Sequence, residues 1–247
     1  MDLLVTTIAE RPDLAPRLAD FPDTWPTFLH HHLLSALFYH SATADFADFC
    51  LVAVDRDLPD MPVAVAYSVP VSWAAAELPP EGHDAVILRA TEDRLIGRPG
   101  RVVAAIEVTV QVAWQGRGVS RIMLESLRVN AARHGYADLV VPVRPTLKHE
   151  DPHASLAEYA ARVRPDGLPV DPWLRTHVRA GGEIVGLAPC SMTLAAPLAA
   201  WREWTGLPFA ATGPVLVPEA LVPVHCDVTH DHAVYVEPNV WVRHRVG

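Results

Sequence analysis

The sequence predicts an α/β (α+β) fold, a central sheet flanked by helices, and three observations carry that prediction. A β-branched apolar run at 102–112 leads into a glycine-rich turn, an amphipathic helix and a second apolar run at 137–143. Strand, turn, helix, strand in that order is a βαβ unit with parallel strands and a right-handed crossover. Upstream, apolar runs at 49–55 and 63–71 flank an Asp- and Pro-rich turn and read as a hairpin. The composition is that of an ordinary globular chain, 50% hydrophobic and 20% charged over 247 residues, ample for a buried core.

Taken in order, residues 12–40 carry helical signals. Asp23 or Thr24 can cap, Pro26 suits a first turn, and Phe28, Leu33, Leu34, Leu37 and Phe38 form an apolar stripe. Phe49–Asp55 and Val63–Val71 are the hairpin strands, with Asp57–Met61 as their turn. His83–Gly97 leans helical. Val102–Val112 reads as a strand near the centre of a sheet. The helix that follows runs to about His134, with Val119, Ile122, Met123, Leu127 and Ala131 on one face and Arg117, Arg121 and Arg128 on the other, and Gly135 ends it. Ala137–Val143 is the second parallel strand. Beyond it, Ser155–Val163 looks helical, and Asp171-Pro172-Trp173 opens a helix as an N-cap followed by Pro, closed by Gly181-Gly182. Glu183–Leu187 and Ser191–Leu194 are strand-like, Pro197–Gly206 is a short helix, Val215–Val224 is punctuated by prolines, and Ala233–Val242 is a closing strand. No internal repeat is present.

Charge and cysteine usage exclude several functions. Lys+Arg is 20 and Asp+Glu 29, a net −9 with no basic block, so a nucleic-acid binder is not expected. The 23 prolines are dispersed, implying rigid turns rather than a disordered tract. Cys50, Cys190 and Cys226 are far apart and form no CxxC, which argues against a disulfide framework or a structural zinc and fits a reducing cytoplasm. The N-terminus lacks a basic region before a long apolar core, and no apolar window approaches a membrane span. Neither a signal peptide nor a membrane partner is expected. Histidines 30, 31 and 32 point about 100° apart on a helix and cannot converge on one metal. The segment His225, Cys226, His230, Asp231, His232 has no recognised ligand spacing, so no metal is expected.

The chemistry sits at Gln115-Gly116-Arg117-Gly118-Val119-Ser120. A glycine-rich turn between strand and helix presents unpaired N–H groups at the positive end of the helix, an anion site suited to a pyrophosphate. Gly116 and Gly118 allow close approach, and Arg117 adds charge. No Gly-Lys-Ser/Thr follows, and GxGxxG is absent, so neither a Walker A nor a dinucleotide fingerprint is present. The stretch from Val110 and Val112 through Gln115, Gly118 and Ser120 into Arg121-Ile122-Met123-Leu124 resembles the coenzyme A pyrophosphate loop of the GCN5-related N-acetyltransferases (GNATs), whose pattern is Gln/Arg-x-x-Gly-x-Gly/Ala. Ser120 departs from the final Gly/Ala. The resemblance covers roughly 45–143, the acyl-CoA-binding core.

That resemblance implies a mixed, mostly antiparallel sheet with a splayed parallel strand pair, and an acyl thioester lying in the gap. It implies an N-acyltransferase using acetyl-CoA or another acyl-CoA as co-substrate, with a small-molecule or peptide amine as acceptor. Val108, Val110 and Val112 would pair with the pantetheine, and the amides of Gln115, Gly116, Arg117, Gly118, Val119 and Ser120 would hold the pyrophosphate, assisted by Arg117 or Arg121. Glu107, the only charge in the 102–112 run, is the candidate general base. The family's Asn-x-x-Ala segment before an acidic Tyr is missing, and Tyr159 is the nearest Tyr to serve as the acid. Arg144, Lys148 and His149 follow the second parallel strand, where α/β sheets place ligands, and are candidate substrate contacts. Within a single GNAT-like domain, residues 144–247 exceed the minimal family and include Trp173, Trp201, Trp204 and Trp241, which would shape an acceptor pocket or an interface; family habit makes a homodimer an expectation. A non-catalytic acyl-CoA sensor is the alternative, kept open by the missing Asn and displaced Tyr. A metal-dependent hydrolase is a third.

Overall fold

The computed structural model describes residues 2–19, 21–22 and 24–246. Asp23, one of the two capping candidates, lies outside them. The strands are β1 (Leu3–Thr7), β2 (Cys50–Asp55), β3 (Leu58–Val71), β4 (Val102–Val110), β5 (Asp138–Val143), β6 (Glu183–Pro197), β7 (Gly213–Val215), β8 (Val224–Asp227) and β9 (His232–Arg245). The α-helices are α1 (Ala15–Leu18), α2 (Leu33–Asp45), α3 (Gly82–Leu95), α4 (Val119–Arg133), α5 (Leu156–Ala160), α6 (Pro172–Arg179) and α7 (Leu198–Thr205). The strands form one nine-stranded sheet in the order β1-β2-β3-β4-β5-β9-β8-β7, with β6 also on β9. Every pairing is antiparallel except β4 with β5. The expected mixed, mostly antiparallel sheet with one parallel pair is what forms.

Two cores lie on opposite faces of this sheet. One packs Phe38 and Ala42 of α2 and Val86, Ile87 and Ala90 of α3 against the sheet residues Val52, Val65, Val69 and Ala104. The other packs Val119, Met123, Leu124, Leu127 and Ala131 of α4 against Val103, Leu139 and Val141. Four of the five residues assigned to the buried face of α4 are there; Ile122 is only half-buried. A third cluster gathers Trp201, Phe28, Tyr235 and Phe209 beyond β9.

Several local expectations change. The helical signals of 12–40 resolve into pieces: two short 3-10 turns, Pro12–Leu14 and Thr27–His31, bracket α1 before α2 begins at Leu33. His32, not Thr24, caps α2, its Nδ1 accepting the Ser35 N–H at 3.3 Å. Leu33 and Leu37 are therefore exposed, 71% and 62%, because the buried stripe runs through Ser35, Phe38 and Ala42. The hairpin turn is tighter than expected, since Asp55 already pairs with Leu58. Register shifts flanking Val54 absorb the prolines of early β3, which cannot donate to the ladder. Strand β4 stops at Val110: Val112 opens a 3-10 turn and is 73% exposed. Glu183–Leu187 and Ser191–Leu194 are parts of one long β6, interrupted in register around Pro189. No helix among the described residues is long and apolar enough to cross a membrane.

Beneath the sheet, α6 and β9 meet at a buried histidine pair, His177 Nδ1 and His244 Nε2, 2.9 Å apart. Burial drives the His177 pKa down to about 3, with His244 adding repulsion, and the His244 pKa down to about 4, with nearby Arg128 adding to burial. Both are far below the unfolded value near 6.5, so the unfolded chain takes up protons that the folded one refuses. Their stabilising effect is complete above pH 6.5 and is lost as pH falls toward 4. Each ring contributes a slope approaching about 1.4 kcal/mol per pH unit in that window. Melting temperature is expected to fall steeply from pH 6.5 to 4, and less steeply in a His177→Gln/His244→Gln variant; parallel profiles would contradict this.

Candidate active site

The geometry begins with β4. It pairs with β3 along its length but with β5 only at Val103–Leu139 and Ala104–Val140. Past Ala104 the two parallel strands part, while β5 stays paired with β9 through Val143. Pro142, which has no N–H to offer, lies just beyond the last β4-paired residue. A bulge reinforces the separation: Tyr67 faces Glu107 and Ser68 faces Ala105, so Ile106 is the extra residue. A bulge of this kind bends the strand and re-aims the next side chain.

The gap is a cavity of about 220 Å³ running through the sheet. Residues Ala105 to Thr109 form one wall and Val141 to Arg144 the other, with Leu124 and Leu127 of α4 on one side and His83, Met192 and Asn239 on the other. A second cavity, about 270 Å³, lies under α2 and is lined by Phe21, Trp25, Tyr39 and Tyr67 with His30 and His32. The two share Trp25, His83, Glu107 and Met192. Glu107 is half-buried at this junction, and its carboxylate accepts a hydrogen bond from the Thr109 hydroxyl.

At the α4 end, the turn after β4 ends in Gly116 (φ 71°) and Gly118 (φ 79°), left-handed conformations that suit glycine. Gly118 is the N-cap of α4, no side chain caps that terminus, and its first turn carries no acid. Gln115, Gly116, Arg117, Gly118 and Arg121 are exposed, Ser120 is half-exposed, and Val119 is buried against the sheet. Gln115 Nε2 donates to the Val110 carbonyl at 3.2 Å, tying the loop to the strand. The Arg117 guanidinium lies over the Trp114 ring, 5.3 Å from its centre. Val108 and Val110 lie on the stretch of β4 that β5 has left unpaired.

Other expected residues sit elsewhere. Tyr159 is buried, does not line either cavity, and donates its hydroxyl to Asp171 at 3.1 Å. Burial and the Asp171 charge push its pKa above the ordinary phenol value. Asp171, read from the sequence only as a helix cap, also accepts the N–H groups of Trp173, Leu174 and Leu147. Lys148 is wholly buried and clamps the carbonyls of Asp151 and Leu221 at 2.7 and 2.9 Å, so it cannot reach a ligand. His149 Nδ1 faces the Thr146 carbonyl at 3.0 Å, and the ring borders a separate surface hollow. Of these three loop residues only Arg144 reaches the cleft. Its Nε donates to Glu237 at 3.0 Å and its Nη2 to the Glu219 carbonyl at 2.6 Å. Of the tryptophans, Trp173 lines the cleft, Trp201 and Trp241 are core residues bonded to the Ala233 and Pro79 carbonyls, and Trp204 stacks on His31.

The sequence reading missed His83, Asp84 and His32. The histidine run lies on a 3-10 turn and the cap of α2 rather than on an α-helix, and His32 turns inward to Asp84, with Nε2 3.4 Å from Oδ1. His83 Nδ1 approaches the same oxygen at 3.4 Å. The donor atoms of the three lie within 4.8 Å of one another, a spacing that also suits a metal ion, but the two rings bonded to Asp84 already account for it. The available signal was Gly82-His83-Asp84 at a helix start, which periodicity does not distinguish from a solvated first turn.

A parallel pair parting over an open helix terminus, with titratable groups at the far end of the gap, is the frame of an acyltransferase. No family model matches the chain, but individual proteins do. It is 35% identical to arginine N-acetyltransferase avaD of Aspergillus versicolor, across 97% of this chain and 93% of that protein. The loading GNATL domain of CurA from Lyngbya majuscula superposes with a TM-score of 0.63 at 19% identity, over 99% of this chain and 97% of that one. The GphF GNAT-like decarboxylase, in complex with isobutyryl-CoA, gives 0.56 at 17% identity over the whole of both chains. The chain belongs to the GCN5-related N-acetyltransferase superfamily and is an enzyme of the N-acyltransferase type.

Proposed function

We propose that this protein transfers an acyl group, acetyl in the first instance, directly from acyl-CoA to the amine of a small cationic acceptor of the arginine type. One observation carries the reading: the β4–β5 gap opens toward the end of β4 from which the chain turns into the uncapped start of α4, and at Glu107 it meets an aromatic-lined cavity. The amides of Gln115 to Ser120 and the positive end of α4 hold the pyrophosphate, with Arg117 and Arg121 offsetting its charge. The free edge of β4 at Val108 and Val110 pairs with the pantetheine amides. Val112, exposed on the turn, contacts the cofactor nearer its phosphates. The thioester then lies in the gap beside Glu107.

The acceptor enters through the second cavity. Phe21, Trp25, Tyr39 and Tyr67 suit the flat or aliphatic part of a cationic amine, and Glu107 draws in its charge. Glu107 then removes a proton so that the neutral nitrogen can attack the thioester carbon. The arginine substrate in the relative's name supports this acceptor class. Arg144, held by Glu237, faces the thioester end of the cleft as a fixed positive charge.

A thermal melt tests cofactor binding. A ligand at 100 times its Kd adds about 2.7 kcal/mol of stability, so CoA and acetyl-CoA are expected to raise the melting temperature by several degrees. An unchanged melt at millimolar CoA would overturn the assignment.

A further inference from the structure

His83 sits in the first turn of α3, is 3% exposed and borders both cavities. Its backbone N–H donates to Ser191 Oγ at 2.8 Å, and Ser191 is bonded in turn to Asn239. The preceding Gly82 has φ +36°, and a Cβ there would lie 2.2 Å from the same oxygen, so the ring is placed by close packing. Asp84 supplies the orientation. Its Oδ2 accepts the Thr193 N–H at 3.1 Å, and its Oδ1 faces both imidazoles. Burial alone would raise its pKa, but the bonds from His32 and His83 outweigh that and hold the carboxyl below its usual range. Because His32 Nδ1 accepts from Ser35, its ring proton is on Nε2 and points at Asp84. An ionised carboxylate is acceptor-only, so His83 also directs an Nδ1 proton to it. That leaves His83 Nε2 as a bare lone pair, and this atom is buried with no hydrogen-bond partner among the described residues.

We propose that His83, oriented by Asp84, is a second proton-transfer residue at the junction of the two cavities; the inference rests on the acyl-transfer reading above. An acceptor arriving as an ammonium must lose two protons. Glu107 takes the first and passes it to water. The neutral nitrogen forms its bond to the thioester carbon, and the carbonyl electron pair moves to oxygen. His83 Nε2 then takes the second proton from the positively charged nitrogen. As the tetrahedral intermediate collapses and the C–S bond breaks, the same Nε2 delivers that proton to the departing thiolate. Ammonium and thioester become amide, thiol and one proton in water. Tyr159, spent on Asp171, is then not needed as the acid. The other charged or titratable groups lining the two cavities are Glu107, His30, His32, Tyr39, Tyr67, His177 and Arg144, and Asp84 packs against the His83 ring itself.

The test is steady-state kinetics of His83→Gln and Asp84→Asn with acetyl-CoA and arginine, alongside melting curves with CoA. His83→Gln is expected to lower kcat by about 10²- to 10³-fold, leave KM for acetyl-CoA within about threefold, and recover part of kcat on addition of free imidazole. Asp84→Asn, which favours the wrong tautomer, is expected to lower kcat by tenfold or more, without imidazole rescue and with the CoA-induced melting shift intact. If His83→Gln melts below the assay temperature, Asp84→Asn decides. A His83→Gln kcat within threefold of the parent overturns the proposal, as does a loss confined to KM. So does inactivation of the parent by a chelator together with one equivalent of tightly held zinc. A parent protein that never turns over acetyl-CoA removes the acyl-transfer reading itself, a result separate from any of these.

Discussion

Glu107→Gln is expected to reduce kcat by about 10²- to 10⁴-fold, the range in which a positioned general base acts, with little change in KM for acetyl-CoA. The substitution keeps size and removes only the charge and basicity. Glu107 lies beyond the cofactor loop, at the point where the β4–β5 gap and the aromatic cavity meet, and the bulge at Ile106 aims it there. The amide still reaches the Thr109 hydroxyl, so the strand is expected to hold. Stopped assays of free thiol release over a pH series are the measurement. A cationic acceptor should also show a raised KM, because Glu107 is the carboxylate that borders both cavities. Unchanged kcat in a folded variant would assign Glu107 to strand structure and leave proton removal to another group.

Arg144→Met carries the second large effect, on stability. Glu237 is completely buried and shares its carboxylate among the Arg144 guanidinium, the Tyr235 hydroxyl and the Asn239 amide. Burial disfavours the Arg144 charge, but Glu237 and Tyr235 outweigh it and raise the arginine pKa. Removing the arginine strands a carboxylate in the interior, a change that typically costs about 3–5 kcal/mol. Against a total stability of about 5–15 kcal/mol, that is a large fraction. Urea unfolding should therefore show a much lower midpoint for Arg144→Met. The double variant Arg144→Met/Glu237→Gln should regain most of the loss, because the glutamine carries no charge to strand. A single variant as stable as the parent would mean that the pair is not an interior ion pair in solution.

How much of this was legible in the residues depends on whether the information is local. The run of β-branched residues at 102–110, the two positive-φ glycines and the apolar face of α4 are encoded within a few residues of one another. Their order alone predicted the βαβ unit and the open helix terminus. The hairpin and the Asp171–Pro172 helix start were readable for the same reason. What was not readable depends on partners far along the chain. The bulge at Ile106 is set by pairing with β3, and the depth of the splay by β5 remaining on β9. Lys148 looked like a loop cation because nothing local announces that Leu221 will supply a carbonyl to it. Tyr159 sits on the helix expected of it, but its partner Asp171 takes its hydroxyl out of the chemistry. His32, His83 and Asp84 were invisible as a group because α2 and α3 approach only in the folded chain; one member lay in a polyhistidine run and the others in an ambiguous helix.

Acyl transfer itself is tested by incubating the purified protein with acetyl-CoA and arginine and reading the mass-resolved product together with free thiol. Direct acyl transfer puts one acetyl group on an acceptor nitrogen for each thiol released, with both products falling together in Glu107→Gln. Thiol release without an acylated amine, or neither product across a panel of cationic amines from a protein that melts cooperatively, would contradict it.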